Sequence, residues 1–376
     1  MIALARKTLV YEWRRFLPVV LAIGFSGVLL TVQAALVLGI FGNASLYVSQ
    51  SSGDLWVGYP GTQSVNFGRA VSPDIPMRLR LDPEARRVEA YEWVDGDWTS
   101  ERTGASVSIY LSGIATHPDA LMFSRLLPAP LRQALREPGA VVVDPADMAT
   151  LGVDAGARAW INGQAVRVVG QLPGLRGLGG VNVLSSLDTA RAVANRTATG
   201  ATYYVAKLRE GANAEQVRAR LAHLPASLGP SEVWTAQEFA WRSQQYWLLD
   251  TGAGVAVVFM TAIVCLVGAI ITGQSLKSAI AGSSREYATL NALGVGRGAM
   301  VRVVLEQAAM LGGVGAGLAA VVSAALLVTA RMQQVPVAMN LPVAIACALV
   351  VAALVLLSSV SAVRQQLRIE PALLLR

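Results

Sequence analysis

Two histidines, two cysteines and a handful of glycine strings are the residues of this 376-residue chain whose types could carry catalysis, metal binding or phosphate binding. His117 precedes Pro118 and His223 closes a helical pattern; neither stands at metal-ligand spacing or near a Ser or Cys nucleophile in sequence, and both read as isolated surface histidines. Cys265 and Cys347 sit inside apolar runs, so the long polar region has no cysteine for a disulfide framework or a thiolate metal site. No Gly-x-x-x-x-Gly-Lys-Ser/Thr loop exists to cradle a nucleotide's phosphates, because Lys277-Ser278 follows Leu276 without the glycines. Gly294, Gly296 and Gly298 follow a helical pattern instead of a strand and read as a helix stop and turn. The chain thus offers no catalytic residues and no metal ligands, and reads as a non-enzyme that must draw energy from elsewhere.

The elements that would position any site are set by composition. Apolar residues make up 54% of the chain and charged ones only 15%, a balance foreign to soluble enzymes. The net charge of +7 is unevenly placed. Segments 1–17, 273–303 and 364–376 hold 11 basic and three acidic residues, whereas 42–247 holds 19 of each. The basic excess lies beside apolar runs and forms no contiguous basic face with interleaved aromatics, which argues against nucleic acid as a partner.

Pro18 to Phe41 is an uncharged run of 24 residues, about 36 Å as a helix and enough to cross a hydrocarbon layer of about 30 Å. It is too long for the core of a cleaved signal peptide. Leu248 to Thr272, Val303 to Val328 and Leu341 to Val363 are similar runs. The expected order is a cytoplasmic interfacial helix over 1–17, a span over 18–41, an α+β domain with stalk-like ends over 42–247, and a span over 248–272. A cytoplasmic segment over 273–302, a span over 303–328, a short loop over 329–340, a span over 341–363 and a tail over 364–376 complete it. The fold class is therefore a membrane protein with one, then three transmembrane helices and a large α+β domain between the first and second. The positive-inside rule places both termini and 273–302 in the cytoplasm, making the domain and the 329–340 loop periplasmic in a bacterial inner (cytoplasmic) membrane, with membrane lipids as direct partners. In the first 16 residues, Ile2, Leu9, Trp13 and Phe16 recur at helical spacing among Arg6, Lys7, Arg14 and Arg15, as in a helix lying in the interface. Gly313 and Gly317 form a small-xxx-small pair for helix packing, either within one subunit or at a dimer seam. Strongly ionisable side chains are absent from the middle of the spans, so an ion-coupled carrier would lack its relay.

Within 42–247, Ala140 to Val143 reads as a buried strand, Pro145 to Leu151 as a short helix, and 157–161 with 165–169 as a hairpin turning at Asn162-Gly163. Thr202 to Leu208 reads as a strand and Ala214 to Leu224 as a helix burying Val217, Leu221 and Leu224. Pro173 to Gly180 reads as a loop. Thr235 to Tyr246 is polar and helix-compatible and runs straight into the second apolar run, as a stalk would; a matching extension after Phe41 reaches to Gln50.

The segment Arg285-Glu286-Tyr287-Ala288-Thr289-Leu290-Asn291-Ala292-Leu293-Gly294 resembles the coupling segment of ABC-transporter permeases of the MacB/FtsX type, and its Glu-Tyr-Ala-Thr-Leu-x-Ala-x-Gly form looks most like the DevC subgroup. The N-terminal Leu4 to Arg15, the strand-helix-hairpin of 140–170, Glu232-Val233-Trp234-Thr235 through Phe239 to Trp247, and the tail Arg368 to Ala372 are similar as well. Ser283 stands where the wider family often has Arg, and Arg285 directly precedes Glu286. The resemblance implies a homodimeric or pseudo-dimeric permease with a separate ABC ATPase dimer that holds ATP and Mg, no cofactor on this chain, and frequently a membrane-fusion protein leading to an outer-membrane channel. It assigns ATPase coupling to Arg285, Glu286, Tyr287, Thr289, Leu290, Leu293 and Gly294. The implied function is mechanotransmission that drives export of an amphiphilic or lipid-like substrate through a tripartite assembly. Regulation of a periplasmic enzyme, as in FtsX, and extraction of lipid or lipoprotein are the alternatives.

Overall fold

In lipid, a backbone satisfies its own polar groups only as a helix or a closed barrel, and the longest helices of this chain fall on its apolar runs. The computed structural model describes residues 11, 13–102, 104, 106–195, 200–222, 229–282, 297–333 and 335–366. They form two compact units, residues 40–253 and the remainder. The first long helix, α1 (Trp13–Gly42), carries no charge after Arg15.

The helical path continues past Gly42 as a 3-10 turn, Asn43–Ser45, and a single turn, α2 (Leu46–Ser49). The strands of the 40–253 unit are β1 (Leu55–Gly58), β2 (Ala85–Ser100), β3 (Ser106–Ile114), β4 (Ala140–Val143), β5 (Arg158–Ile161), β6 (Gln164–Gln171), β7 (Val181–Ser186), β8 (Tyr203–Leu208) and β9 (Glu232–Thr235). Its remaining helices are α3 (Ile75–Arg80), α4 (Ala129–Ala134), α5 (Met148–Leu151), α6 (Leu187–Val193), α7 (Ala214–Leu221) and α8 (Ala236–Gln245). Strand pairing runs β3-β7-β4-β6-β5-β2-β8-β1-β9, and β2 also pairs with β3, so the first six close into a ring. The length of β2 makes this possible. Its residues 92–99 pair with β3, 98–100 with β5 and 85–91 with β8. Val94, Trp98, Ile109, Leu111, Val141 and Ile161 belong to the ring's core. The β5–β6 turn is the Asn-Gly hairpin expected from sequence, with Asn162 at φ 49° and Gly163 at φ 79°, the left-handed pair of a type I′ turn. The Asn162 side chain also accepts from Asp97 N at 2.8 Å and donates to Asp95 O at 3.3 Å, which fastens the turn to β2.

From the ring, β8, β1 and β9 extend as an antiparallel wing covered on both faces. Leu55, Val57, Tyr204, Ala206 and Val233 pack with Leu79, Val217 and Leu221 of α3 and α7, while Trp56, Tyr203, Val205 and Trp234 join the aromatic core around Tyr91 and Phe239. Two covered faces explain why β1, and β8 up to Lys207, read as apolar runs and not as alternations.

The other unit adds α9 (Ala253–Gly282), α10 (Arg297–Met332) and α11 (Leu341–Gln366) to most of α1. Four segments are long and apolar enough to cross a membrane: Phe16–Ser49, Ala253–Ser275, Glu306–Met332 and Leu341–Ser359. The chain is thus a multi-pass membrane protein with one span before a large α+β domain and three after it. Phe16, Val19, Ile23 and Leu30 of α1 bury against Leu311, Cys347, Val351 and Val355. Small residues let the helices close: a Cβ on Gly27 would lie 2.7 Å from the Ala319 Cβ, and one on Gly315 would lie 2.6 Å from Ile23 Cγ2. One polar clamp joins α1 to α9, Gln33 Nε2 donating to Thr261 Oγ1 at 3.0 Å, of the kind that contributes about 0.6 kcal/mol in a bilayer. Val258, Phe259, Val321 and Leu357 are exposed, an arrangement stable only where lipid or another apolar surface surrounds them.

Candidate functional site

A domain inserted between two spans is tied to them by two chain connections, and here those connections lie side by side. The entering one is the turn Asn43–Ser45 with α2, and the leaving one is β9 with α8. Ser45 Oγ donates to Gly42 O at 3.0 Å and accepts from Gln244 Nε2 at 2.8 Å. Sequence places the connections 199 residues apart; one side-chain hydrogen bond ties them. α8 starts cleanly because Thr235 Oγ1 accepts from Glu238 N at 3.2 Å, an N-cap. Its inner face is held by Phe239, which is fully buried, stacks on Trp234 at 4.6 Å with a 9° interplanar angle, and lies 5.6 Å from both Trp56 and Tyr203. Any tilt of α8 must therefore move the sheet edge with it.

Charge reinforces this joint. The Glu232 carboxylate accepts from Gly61 N at 2.8 Å, Trp234 Nε1 at 2.7 Å and Arg242 Nη1 at 2.9 Å, and the Arg242 guanidinium sits 5.7 Å over the Trp234 ring. Partial burial alone would raise the Glu232 pKa, but these donors outweigh it and hold the carboxyl below the usual carboxylate range. A depressed acid contributes stability that is complete above its unfolded pKa, about 4.5, and is lost as pH falls through the folded value. Glu232→Gln is accordingly expected to lower the domain's stability by about 1 kcal/mol at pH 7, a small effect because the group is a third exposed. Thermal unfolding measured from pH 7 to pH 3 should show the two proteins converging below about pH 4.5; a gap that stays constant with pH would contradict this.

Beyond α8 the chain makes a π-helical turn, Tyr246–Asp250, and then breaks at Gly252, whose φ of 75° no other residue adopts freely. The unbroken helix expected to run from 235 into the second span is thus interrupted, and α9 begins at Ala253. On the entering side the helical path does extend past Phe41, through Ser49. The π-helical turn carries an aromatic cluster, Phe67 packing 5.1 Å from Tyr246 and 6.2 Å from Trp247, while Trp247 Nε1 donates to Ser64 Oγ at 3.2 Å.

The 173–180 segment, read from sequence as a loop, is pinned to the domain. Asp144 Oδ2 accepts from Gly174 N at 2.8 Å and Leu175 N at 2.9 Å, Arg176 pairs with Asp147 at 2.7 Å, and Asn66 Nδ2 donates to Leu178 O at 2.8 Å. His117 is not isolated as expected: its Nε2 lies 3.1 Å from the buried carboxylate of Glu89, which also accepts from Leu121 N at 2.8 Å. Burial pushes the Glu89 carboxyl up, partly offset by Leu121 N–H, His117, Arg87 and Arg132. Strand β2 brings that carboxylate to the histidine, a pairing across sequence that no local spacing announces.

Arg285, Glu286, Tyr287, Thr289, Leu290, Leu293 and Gly294, together with His223 and the tail from Arg368, lie outside the described residues. Gly313 and Gly317 lie on an open face of α10, with nothing within 4 Å of the position a Cβ would take, whereas Gly312 and Gly315 meet Val355 and Ile23. Among the described residues no group of three or more His, Cys, Asp or Glu side chains could hold a metal ion. Sequence reasoning marked the two stalk-like extensions, Thr235 to Tyr246 and the stretch past Phe41 to Gln50, but not the Ser45–Gln244 contact that ties them.

Family models match both parts of the chain: a MacB-like periplasmic core domain over residues 19–224 and an FtsX-like permease C-terminal region over residues 258–371. No curated protein sequence matches the chain. Among solved structures, the periplasmic region of MacB from Actinobacillus actinomycetemcomitans is similar at 14% identity and a TM-score of 0.37, covering 50% of this chain and 92% of that one. The extracellular domain of the noncanonic ABC-type transporter YknZ from Gram-positive bacteria is similar at 12% identity and a TM-score of 0.33, covering 48% of this chain and 98% of that one.

Proposed function

We propose that this chain, which belongs to the MacB/FtsX-type family of ABC-transporter permeases, is the subunit that converts nucleotide-driven movement of a separate ATPase into movement of the 40–253 domain. ABC permeases of this family work with an ABC ATPase. In the proposed cycle the segment around Arg285 to Gly294 docks on that ATPase at the cytoplasmic face, with Tyr287, Leu290 and Leu293 in a groove and Arg285, Glu286 and Asn291 at its rim. The spans carry the displacement to the domain. Two copies work as a homodimer in a bacterial inner membrane with both termini cytoplasmic, and the DevC-like form of the coupling segment favours a tripartite exporter of an amphiphilic or lipid-like substrate.

The observation that carries this reading is the Ser45–Gln244 joint backed by the Phe239 stack. It fastens the chain segments that enter and leave the domain to each other and to the sheet, as a transmitter needs. Gentle-detergent purification of the tagged chain from its native membrane, followed by mass spectrometry, tests the assembly. An ABC ATPase together with a membrane-fusion protein is the expected company. An ATPase with a cell-wall hydrolase would shift the output to enzyme regulation, and recovery without any ATPase would overturn the proposal.

A further inference from the structure

A single apolar side chain left in water calls for no explanation, but Phe67 is held out by a turn that is itself pinned to the domain. It is 46% exposed and closes the 3-10 turn Val65–Phe67 between β1 and α3. The other two residues of the turn are buried. Val65 O accepts from Tyr203 Oη at 2.8 Å, and Asn66 Nδ2 bonds Leu178 O. With the backbone so fixed, the Phe67 ring lies outside the core, against Tyr246 and Trp247 of the π-helical turn. Leu249, in the same turn, is 60% exposed. Arg69, also exposed, has its guanidinium 5.3 Å from the Tyr59 ring. Two distant segments thus build one aromatic and apolar patch with a cation beside it.

We propose that this patch docks on the headgroup layer of the bilayer, giving the 40–253 domain a third attachment to the membrane beside its two chain connections. Height argues for lipid as the occupant. The second span begins at Ala253, and Val255 and Val258 beyond it are exposed, as lipid-facing residues are, whereas the Asp250 carboxylate stays out of hydrocarbon. The hydrocarbon boundary therefore falls between Asp250 and Val255. Leu249 and Trp247 stand four and six residues before Ala253, about 6 and 9 Å at a helical rise. The headgroup layer adds roughly 5 to 8 Å to each side of the hydrocarbon, so it surrounds Leu249 and meets the Trp247 side chain with the Phe67 ring packed on it. Tyrosine and tryptophan favour this layer because each has an apolar body and a polar tip, and arginine pairs with lipid phosphate. A protein covering the same residues would have to displace headgroups to reach them. The inference depends on the span at Ala253 and not on the ATPase coupling proposed above.

The full chain carrying Phe67→p-benzoylphenylalanine, in nanodiscs of phosphatidylethanolamine and phosphatidylglycerol, tests it by photocrosslinking and mass mapping of the adducts. The half-exposed ring leaves room for the added benzoyl group. Lipid adducts are expected at position 67, and their loss to background when the photoreactive residue replaces Trp241 or Glu210 instead. Trp241 is 61% exposed on α8 but 12 residues before Ala253, about 18 Å of helical rise and clear of the headgroups. Glu210 is exposed at the far end of β8, seven residues past Tyr203 and roughly 20 Å from the residue that holds the Phe67 turn. Equal lipid labelling at the three positions would mean that exposure alone decides, and would overturn the proposal. Adducts of position 67 with a second copy of the chain in place of lipid would overturn it as well, by making the patch a contact between copies, and so would the absence of lipid adducts there.

Discussion

Leu290→Arg is expected to leave the chain inserted in the membrane while abolishing its stimulation of the partner ATPase. In the proposed docking helix Leu290 is three residues from Tyr287 and three from Leu293, so the trio recurs on one face and its centre enters the groove. Burying a leucine there contributes about 2 kcal/mol, and arginine would forfeit that while leaving a charge desolvated. A central apolar anchor of this kind behaves as a hot spot, and a loss of 2 to 3 kcal/mol weakens docking by roughly 30- to 150-fold. Stimulated ATP hydrolysis and co-purification of the ATPase measure the effect, with membrane yield as the control. Leu290→Met keeps the volume and apolar character and should retain most of the coupling. Stimulation unchanged in Leu290→Arg would remove the coupling role from this segment.

The membrane half of the fold was legible because a span announces itself by length and lack of charge, and four such runs became the four apolar helices. Inside the domain, elements with strong local signals were found: the buried strand at Ala140, the Asn162-Gly163 turn and the helix starting at Ala214. β1 was missed since its four residues are buried on both faces and show no alternation. β2 was missed for the opposite reason. Its 16 residues include Arg86, Arg87, Glu89, Glu92, Asp95 and Asp97, and it reads as polar until β3, β5 and β8 are seen to enclose it. Ring closure depends on pairings such as Trp98 with Ile161 that span some sixty residues, and no window along the sequence contains both partners. The candidate joint failed for the same reason, since Ser45 and Gln244 are unremarkable polar residues until the fold brings them together.

Phe239→Ala separates transmission from stability when it is compared with Trp98→Ala. Both side chains are fully buried, and truncating either is expected to cost about 3 to 5 kcal/mol. For a domain of this size that corresponds to a fall in melting temperature of roughly 6 to 20 °C. The two positions differ in what they hold. Trp98 packs in the ring and donates from Nε1 to Leu151 O at 3.1 Å, away from α8. Phe239 is the main apolar contact between α8 and the sheet, so its loss frees the helix that carries Gln244 and the π-helical turn leading to the second span. Assayed well below both melting temperatures in the full chain, Trp98→Ala should keep ATP-dependent movement of the domain, and Phe239→Ala should lose it while the ATPase still docks and hydrolyses. A fluorophore on the exposed Met77 position, in α3, can report that movement. If the two variants lose movement in proportion to their melting temperatures, α8 is no more than another packed element and the joint at Ser45 carries no signal. If only Phe239→Ala fails, motion passes through α8, because the ring remains folded in that variant and only its connection to the second span has been loosened.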